Sequence, residues 1–210
     1  QYNQFVWIPV EVKSTDTEDN IASFYRSEWT ANASTGGDRT TGLGTNYTEP
    51  DSTNDTVDKT GIADQITELT KSIYKYGGFY IGRYEIGADG STKKGNNLRE
   101  GSISFAEAKT EAKAKYNNNE FGVQSTLPSG AAWYGIEKWF IESHTISWND
   151  VFFDSTSWGN YKQSRTEQGI PQKTGSKEEY SKKNIYDLAG NLEEWTTEMD
   201  SDSKEIKRGG

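Results

Sequence analysis

Cysteine is absent from this chain of 210 residues, and histidine occurs once, at His144. Without cysteine, structural disulfides, thiolate zinc sites and cysteine nucleophiles are all excluded within these residues. His144 lies in a polar stretch between Ser143 and Thr145. Since no nucleophile accompanies it in a recognisable motif, we interpret this histidine as structural or solvated and not as a catalytic base.

Cationic residues and long apolar runs are also scarce. The chain has 23 Lys and Arg residues against 32 Asp and Glu residues, which gives a net charge of −9. Binding to nucleic acid depends on clustered cations, so we expect no nucleic-acid partner and no attraction to anionic membrane surfaces. No run approaches the ~20 apolar residues of a membrane span, so we expect no membrane insertion.

Aromatic residues are abundant, by contrast, with seven Trp and twelve Tyr in a chain that is only 31% hydrophobic. Large rings can build a core and still leave others for the surface. We expect Trp7, Trp133 and Trp195 to lie in the core. The remaining rings could line a sugar-binding surface, because aromatic faces stack on the apolar faces of sugars.

The first part of the chain combines one strand with a long polar segment. Gln4–Val12 has the residue types of a strand, and Pro9 favours an edge position because it cannot donate to a ladder. Ser, Thr, Asn, Asp and Gly dominate Ser14–Thr60. A segment of this length without periodicity is typical of a surface insertion. We therefore predict one domain over residues 1–210, with 14–60 as a polar insertion outside its core.

The rest of the chain predicts a mixed α+β fold. Apolar spacing indicates a helix over Ile62–Tyr76, and a capping box indicates another over Ser104–Tyr116. A third helix is predicted over Ser129–Ile141, just after a proline. Without β-α-β alternation, we expect the last two to be the main helices and to flank a twisted, mostly antiparallel sheet with long loops. That sheet should contain Phe79–Ile86 and Leu192–Thr197.

The segment Asn184–Thr196 combines turn-forming residues with acidic ones. Asp187 and Glu194 place carboxylates at the two ends of the turn, and the carbonyls of Gly190 and Leu192 lie between them. This mixture of side-chain and backbone oxygens is what Ca²⁺ prefers. The spacing is not that of an EF-hand loop, so a solvated acidic turn remains the alternative interpretation.

Several motifs, taken in order, resemble one family. LAGNLEEWT, at residues 188–196, resembles the "GN-x-W-E-W" signature of the formylglycine-generating enzyme (sulfatase-modifying factor) family, a variant of the C-type-lectin-like fold. Five other segments resemble further motifs of that family in the same order: Gly77–Gly87, Ile103–Ala108, Thr126–Trp133, Trp158–Tyr161 and Lys207–Gly210. The resemblance implies a C-type-lectin-like fold of the sulfatase-modifying-factor type.

The resemblance also implies a ligand set for the cation. Glu194 matches the glutamate that ligates a structural Ca²⁺ in these enzymes, and Asp187 stands where the family has an asparagine ligand. Gly190 and Leu192 match the positions that supply carbonyl oxygens. Glu193 replaces the usual tryptophan, which is a departure from the pattern.

Two classes of function follow from the resemblance. The enzymes of the family use copper-binding cysteines after the "R-G-G" strand, so an oxidase would need cysteines beyond residue 210. We expect a processed or partial chain, with the C-terminal strands cut off after Gly210. Other relatives are phage tail proteins, surface proteins and variable proteins diversified by retroelements, and they serve as binding scaffolds.

We favour the binding class: a non-catalytic ligand-binding or structural display domain of a virion-associated or surface protein. The expected location is the virion or the cell surface, outside the cell. The expected partners are a host surface glycan or protein, or other virion subunits, and an oligomer is compatible with this role.

Overall fold

The computed structural model describes most of the chain outside the polar segment. The described residues are 2–24, 28–30, 38–40, 47–48, 62–99, 101–117, 122–147, 150–151, 157–160, 170–200 and 204–209. Within them the fold is α+β, as predicted.

Three helices are present in the described residues. They are α1 (Ile62–Tyr76), α2 (Phe105–Lys115) and α3 (Gly130–Glu142). All three predictions are confirmed to within one or two residues at each end. The prediction of two main helices understated α1, which is the longest of the three and buries Ile62 and Ile73.

The strands are short and pair antiparallel. They are β1 (Phe5–Pro9), β2 (Glu28–Thr30), β3 (Asp38–Thr40), β4 (Tyr47–Thr48), β5 (Gly78–Gly82), β6 (Ser181–Lys182), β7 (Ile185–Tyr186), β8 (Glu194–Asp200) and β9 (Glu205–Arg208). A 3-10 turn, Glu178–Tyr180, precedes β6.

The described strands form four small sheets and not the one sheet that we predicted. Three are pairs, β1 with β5, β2 with β3 and β6 with β7, and the fourth has the order β4-β8-β9. The two strands expected to share a sheet, β5 and β8, belong to different sheets because each takes its partner from another part of the chain.

The main core lies where β1, β5, α1 and α3 meet. Ile8, Ile73, Phe79, Ile136 and Phe140 belong to one buried cluster. Such aliphatic and aromatic side chains supply most of the free energy that drives folding.

The beginning of the polar segment also contributes to this core. Ile21 and Phe24 are buried in the same cluster, and β4 pairs with β8. Ile21 and Phe24 are therefore core residues, whereas Ala22 between them is exposed. Most of the remainder of Ser14–Thr60 lies outside the described residues.

The tryptophans divide between the core and the surface. Trp133 is buried, as predicted, and Trp195 is partly buried beside a second cluster formed by Ile62, Phe105 and Met199. Trp7 is 36% exposed, so its prediction as a core residue is wrong. It lies on the outward face of β1, and the next residue along the strand, Ile8, is the one buried in the core.

None of the described helices has the length and hydropathy that a bilayer crossing requires.

Candidate metal centre

The loop between β7 and β8 depends on residues that tolerate a positive φ. Asp187, Gly190 and Asn191 have φ values of 60°, 82° and 68°. Asp and Asn are the side chains that most readily adopt this region, and glycine adopts it freely. At Gly190 space is limiting as well, because an added Cβ would lie 2.5 Å from the carbonyl oxygen of Asn160.

Asn191 fixes the loop to three other parts of the chain. Its amide nitrogen donates to Glu85 Oε2 and to the Gln172 carbonyl, and its Oδ1 accepts from Asn160 Nδ2 and from the Gln172 backbone nitrogen. The side chain thus uses both its donors and its acceptor. This explains why an asparagine follows the glycine here.

Asp187 is 1% exposed and directed into the protein. Its Oδ2 accepts a hydrogen bond of 2.7 Å from the backbone nitrogen of Gly175. Its Oδ1 is buried and accepts no hydrogen bond from the described residues. One carboxylate oxygen therefore remains without a donor, which is costly for a buried ionised group.

Glu194 is the first residue of β8. The residue is partly exposed, but its carboxyl group is buried. Both of its oxygens are buried, and neither accepts a hydrogen bond from the described residues. One of them would lie 2.1 Å from a Cβ added to Gly209, so the glycine backbone of the "R-G-G" motif packs directly against this carboxyl.

Glu85, just after β5, is a third acid at this site and was missed by the sequence analysis. Its Oε1 accepts a hydrogen bond of 3.0 Å from the Leu192 backbone nitrogen, and its Oε2 accepts from Asn191. The signal was present, since Glu85 belongs to the segment Gly77–Gly87 that resembles a family strand.

The electrostatics of these acids reflect their burial and their mutual repulsion. Burial, together with the charge of Asp187, raises the pKa of Glu85 to about 8. Burial raises the pKa of Asp187 to about 6. Burial, with the neighbouring Glu85, raises the pKa of Glu194 well above its usual value. Each carboxyl thus resists ionisation unless a positive charge is near.

The nearby cations are engaged elsewhere. Arg208 Nη2 lies 2.8 Å from Glu198 Oε2, and Lys207 Nζ lies 3.2 Å from Glu193 Oε2. Glu193 is exposed, whereas the Glu194 carboxyl is buried, so these adjacent acids face opposite ways as expected in a strand.

The other two expected ligands are backbone carbonyls. No described residue donates a hydrogen bond to the carbonyl of Gly190 or of Leu192. Within the described residues, no three His, Cys, Asp or Glu side chains form a ready group of metal ligands. The expected set differs from such a group because it has two carboxylates, of Asp187 and Glu194, and two carbonyls.

Comparisons of the chain with protein-family models, with curated proteins and with solved structures found no match. The resemblance to the formylglycine-generating enzymes therefore rests on the motifs alone.

Proposed function

We propose that this chain is a non-catalytic ligand-binding or structural display domain of the C-type-lectin-like, sulfatase-modifying-factor type, stabilised by one Ca²⁺. Its place would be a virion-associated or surface protein that contacts a host glycan, a host protein or other virion subunits. One observation carries the proposal: segments quoted for the resemblance converge on the loop around Asp187 and Glu194. They bring Glu85, Asn160 and Gly209 to it.

The ligands of the Ca²⁺ would be the carboxylates of Asp187 and Glu194 with the carbonyls of Gly190 and Leu192. The uncompensated Oδ1 of Asp187 and both oxygens of Glu194 support this set, because buried carboxylate oxygens without donors suit a hard cation. Glu85 would contribute negative charge while its own oxygens hold the loop in place.

The alternative to a cation is a proton shared between Glu85 and Glu194, which would also relieve the repulsion of two buried acids. The two explanations differ in what they predict for chelation. A bound Ca²⁺ adds stability that EDTA removes, whereas a shared proton is indifferent to EDTA.

The non-catalytic part of the proposal is supported by the composition. The oxidases of the family act through cysteines, and these 210 residues contain none. Aromatic residues at the surface suit recognition instead.

The cation is tested by thermal melting of the whole chain in CaCl₂ and in EDTA. A ligand at 100 times its dissociation constant adds about 2.7 kcal/mol, which for a domain of this size raises Tm by roughly 5–10 °C. We expect this increase for the natural chain and its loss in Glu194→Gln.

Glu193→Gln is the matched control, since it removes the same charge one residue away on the exposed side of the strand. It should keep the response to calcium. An equal Tm in calcium and in EDTA for the natural chain would exclude the cation and leave an acidic, partly protonated turn.

A further inference from the structure

The outward face of the β1–β5 pair carries an unusual set of residues. Antiparallel pairing places Trp7 opposite Tyr80 and Phe5 opposite Gly82. Phe5, Trp7 and Tyr80 are all exposed, Tyr80 by 67%. The aliphatic side chains of the pair, Val6, Ile8 and Ile81, alternate with these and belong to or pack against the core. The outward face therefore consists of aromatic rings, glycines and one proline.

The backbone holds the tryptophan ring flat against the sheet. A Cβ added to Gly78 would lie 2.5 Å from Cζ2 of Trp7, so the indole rests on the strand where a glycine makes room for it. Tyr80 packs against Trp7 at a centroid distance of 4.9 Å and an interplanar angle of 65°. The rings of Trp7 and Tyr80 are thus held in place by packing on the protein side and are exposed to solvent on the other side.

Polar side chains with fixed geometry lie beside these rings. An open depression of about 460 Å³ is lined by Gln4, Phe5, Val6, Trp7, Arg83 and Asn184. This volume is within the ~300–1,000 Å³ of small-ligand sites. Arg83 Nη1 donates to Gln4 Oε1 at 2.8 Å, and its guanidinium lies over the rings of Tyr84 and Tyr186, so its position is set in advance.

We propose that Trp7 and Tyr80, with Gln4, Arg83 and Asn184, form a carbohydrate-binding site. A pyranose has an apolar C–H face, which stacks on an aromatic ring, and a rim of hydroxyl groups, which planar amide and guanidinium groups bind. The aromatic face offers the first feature, and the depression beside it, lined by Gln4, Arg83 and Asn184, offers the second. This inference rests on the proposed function and assigns its ligand to the glycan class.

The charge of the site determines how each class of sugar would contact Arg83. The side-chain hydrogen bonds of Arg83 go to the neutral groups of Gln4 and Asn184, so no carboxylate of the described residues neutralises its charge. A carboxylate on a uronic or sialic acid could pair with it, and a neutral sugar could accept hydrogen bonds from it.

The test is binding of the whole chain to an array of neutral, uronic-acid-containing and sialylated oligosaccharides. The affinity for the best binder is then measured by titration calorimetry. We expect Trp7→Ala and Tyr80→Ala each to weaken binding at least tenfold. Tyr74→Ala should change it less than twofold, because Tyr74 is 38% exposed within α1 and belongs to neither strand of the pair. Trp7→Phe should keep part of the affinity that Trp7→Ala loses, because phenylalanine still supplies an aromatic ring.

Tyr80 is largely exposed, so Tyr80→Ala should fold even if Trp7→Ala does not, and melting curves verify this. Failure to bind any sugar on the array would overturn the glycan assignment. Binding that survives both substitutions would overturn this site but leave the proposed binding function standing. The response of Tm to calcium is measured separately, so the two proposals fail independently.

Discussion

At the scale of single residues, Gly95 and Gly190 have nearly the same backbone conformation in different surroundings. Their φ values are 77° and 82°. A Cβ on Gly95 would meet nothing within 4 Å, whereas a Cβ on Gly190 would meet the backbone of Asn160 at 2.5 Å. The comparison separates the cost of a left-handed conformation from the cost of lost contact between the two loop segments.

We predict that Gly190→Ala destabilises the protein more than Gly95→Ala. The left-handed conformation alone should cost about 1–2 kcal/mol in both variants. Gly190→Ala also has to displace Asn160, and so disturbs the hydrogen bonds of Asn191. Urea denaturation measures both free energies of unfolding. Equal losses would show that the close approach of the two backbones does not contribute to stability.

At the scale of elements, local signals predicted the helices and missed the sheets. The capping box at Ser104 and Glu107 and the apolar spacing of α1 act within a few residues, so they can be read from the sequence. Strand pairing joins distant segments such as β1 and β5, and nothing local specifies it. The candidate site shows the same division: Asp187 and Glu194 are close in sequence and were predicted together, whereas Glu85 comes from a distant segment after β5 and was missed.

The capping box also gives a test of element stability. The Ser104 side chain accepts a hydrogen bond from the Glu107 backbone nitrogen, and the Glu107 carboxylate accepts one from the Ser104 backbone nitrogen at 3.0 Å. Ser104→Ala should lower the free energy of unfolding by about 1 kcal/mol, and Ser104→Gly by only a few tenths. Chemical denaturation distinguishes them. An alanine variant as stable as the natural chain would show that packing, and not the cap, determines where α2 begins.

At the scale of the whole molecule, the three acids around the loop make stability depend on pH, and the proposed Ca²⁺ would add a dependence on calcium. Their pKa values are raised in the folded state, so the folded chain holds protons that the unfolded chain releases near pH 4. Stability from this source is complete below that pH. It is lost as the pH rises through the folded values of about 6 for Asp187 and about 8 for Glu85. A bound Ca²⁺ needs ionised ligands and so acts in the opposite direction.

We therefore predict that in EDTA the Tm falls between pH 5 and pH 8, and that excess CaCl₂ reduces this fall. Glu194→Gln, which removes one of the buried charges, should flatten the pH dependence in EDTA and abolish the calcium effect. Glu193→Gln should behave like the natural chain in both respects, because its carboxylate is exposed and paired with Lys207. Melting curves at pH 5 and pH 8, each in EDTA and in CaCl₂, measure these effects for every variant. If the natural chain and Glu194→Gln show the same pH dependence in EDTA, the acids at the loop do not interact strongly enough to control stability. The motif segments that meet at this loop would then contribute only to the packing of the fold.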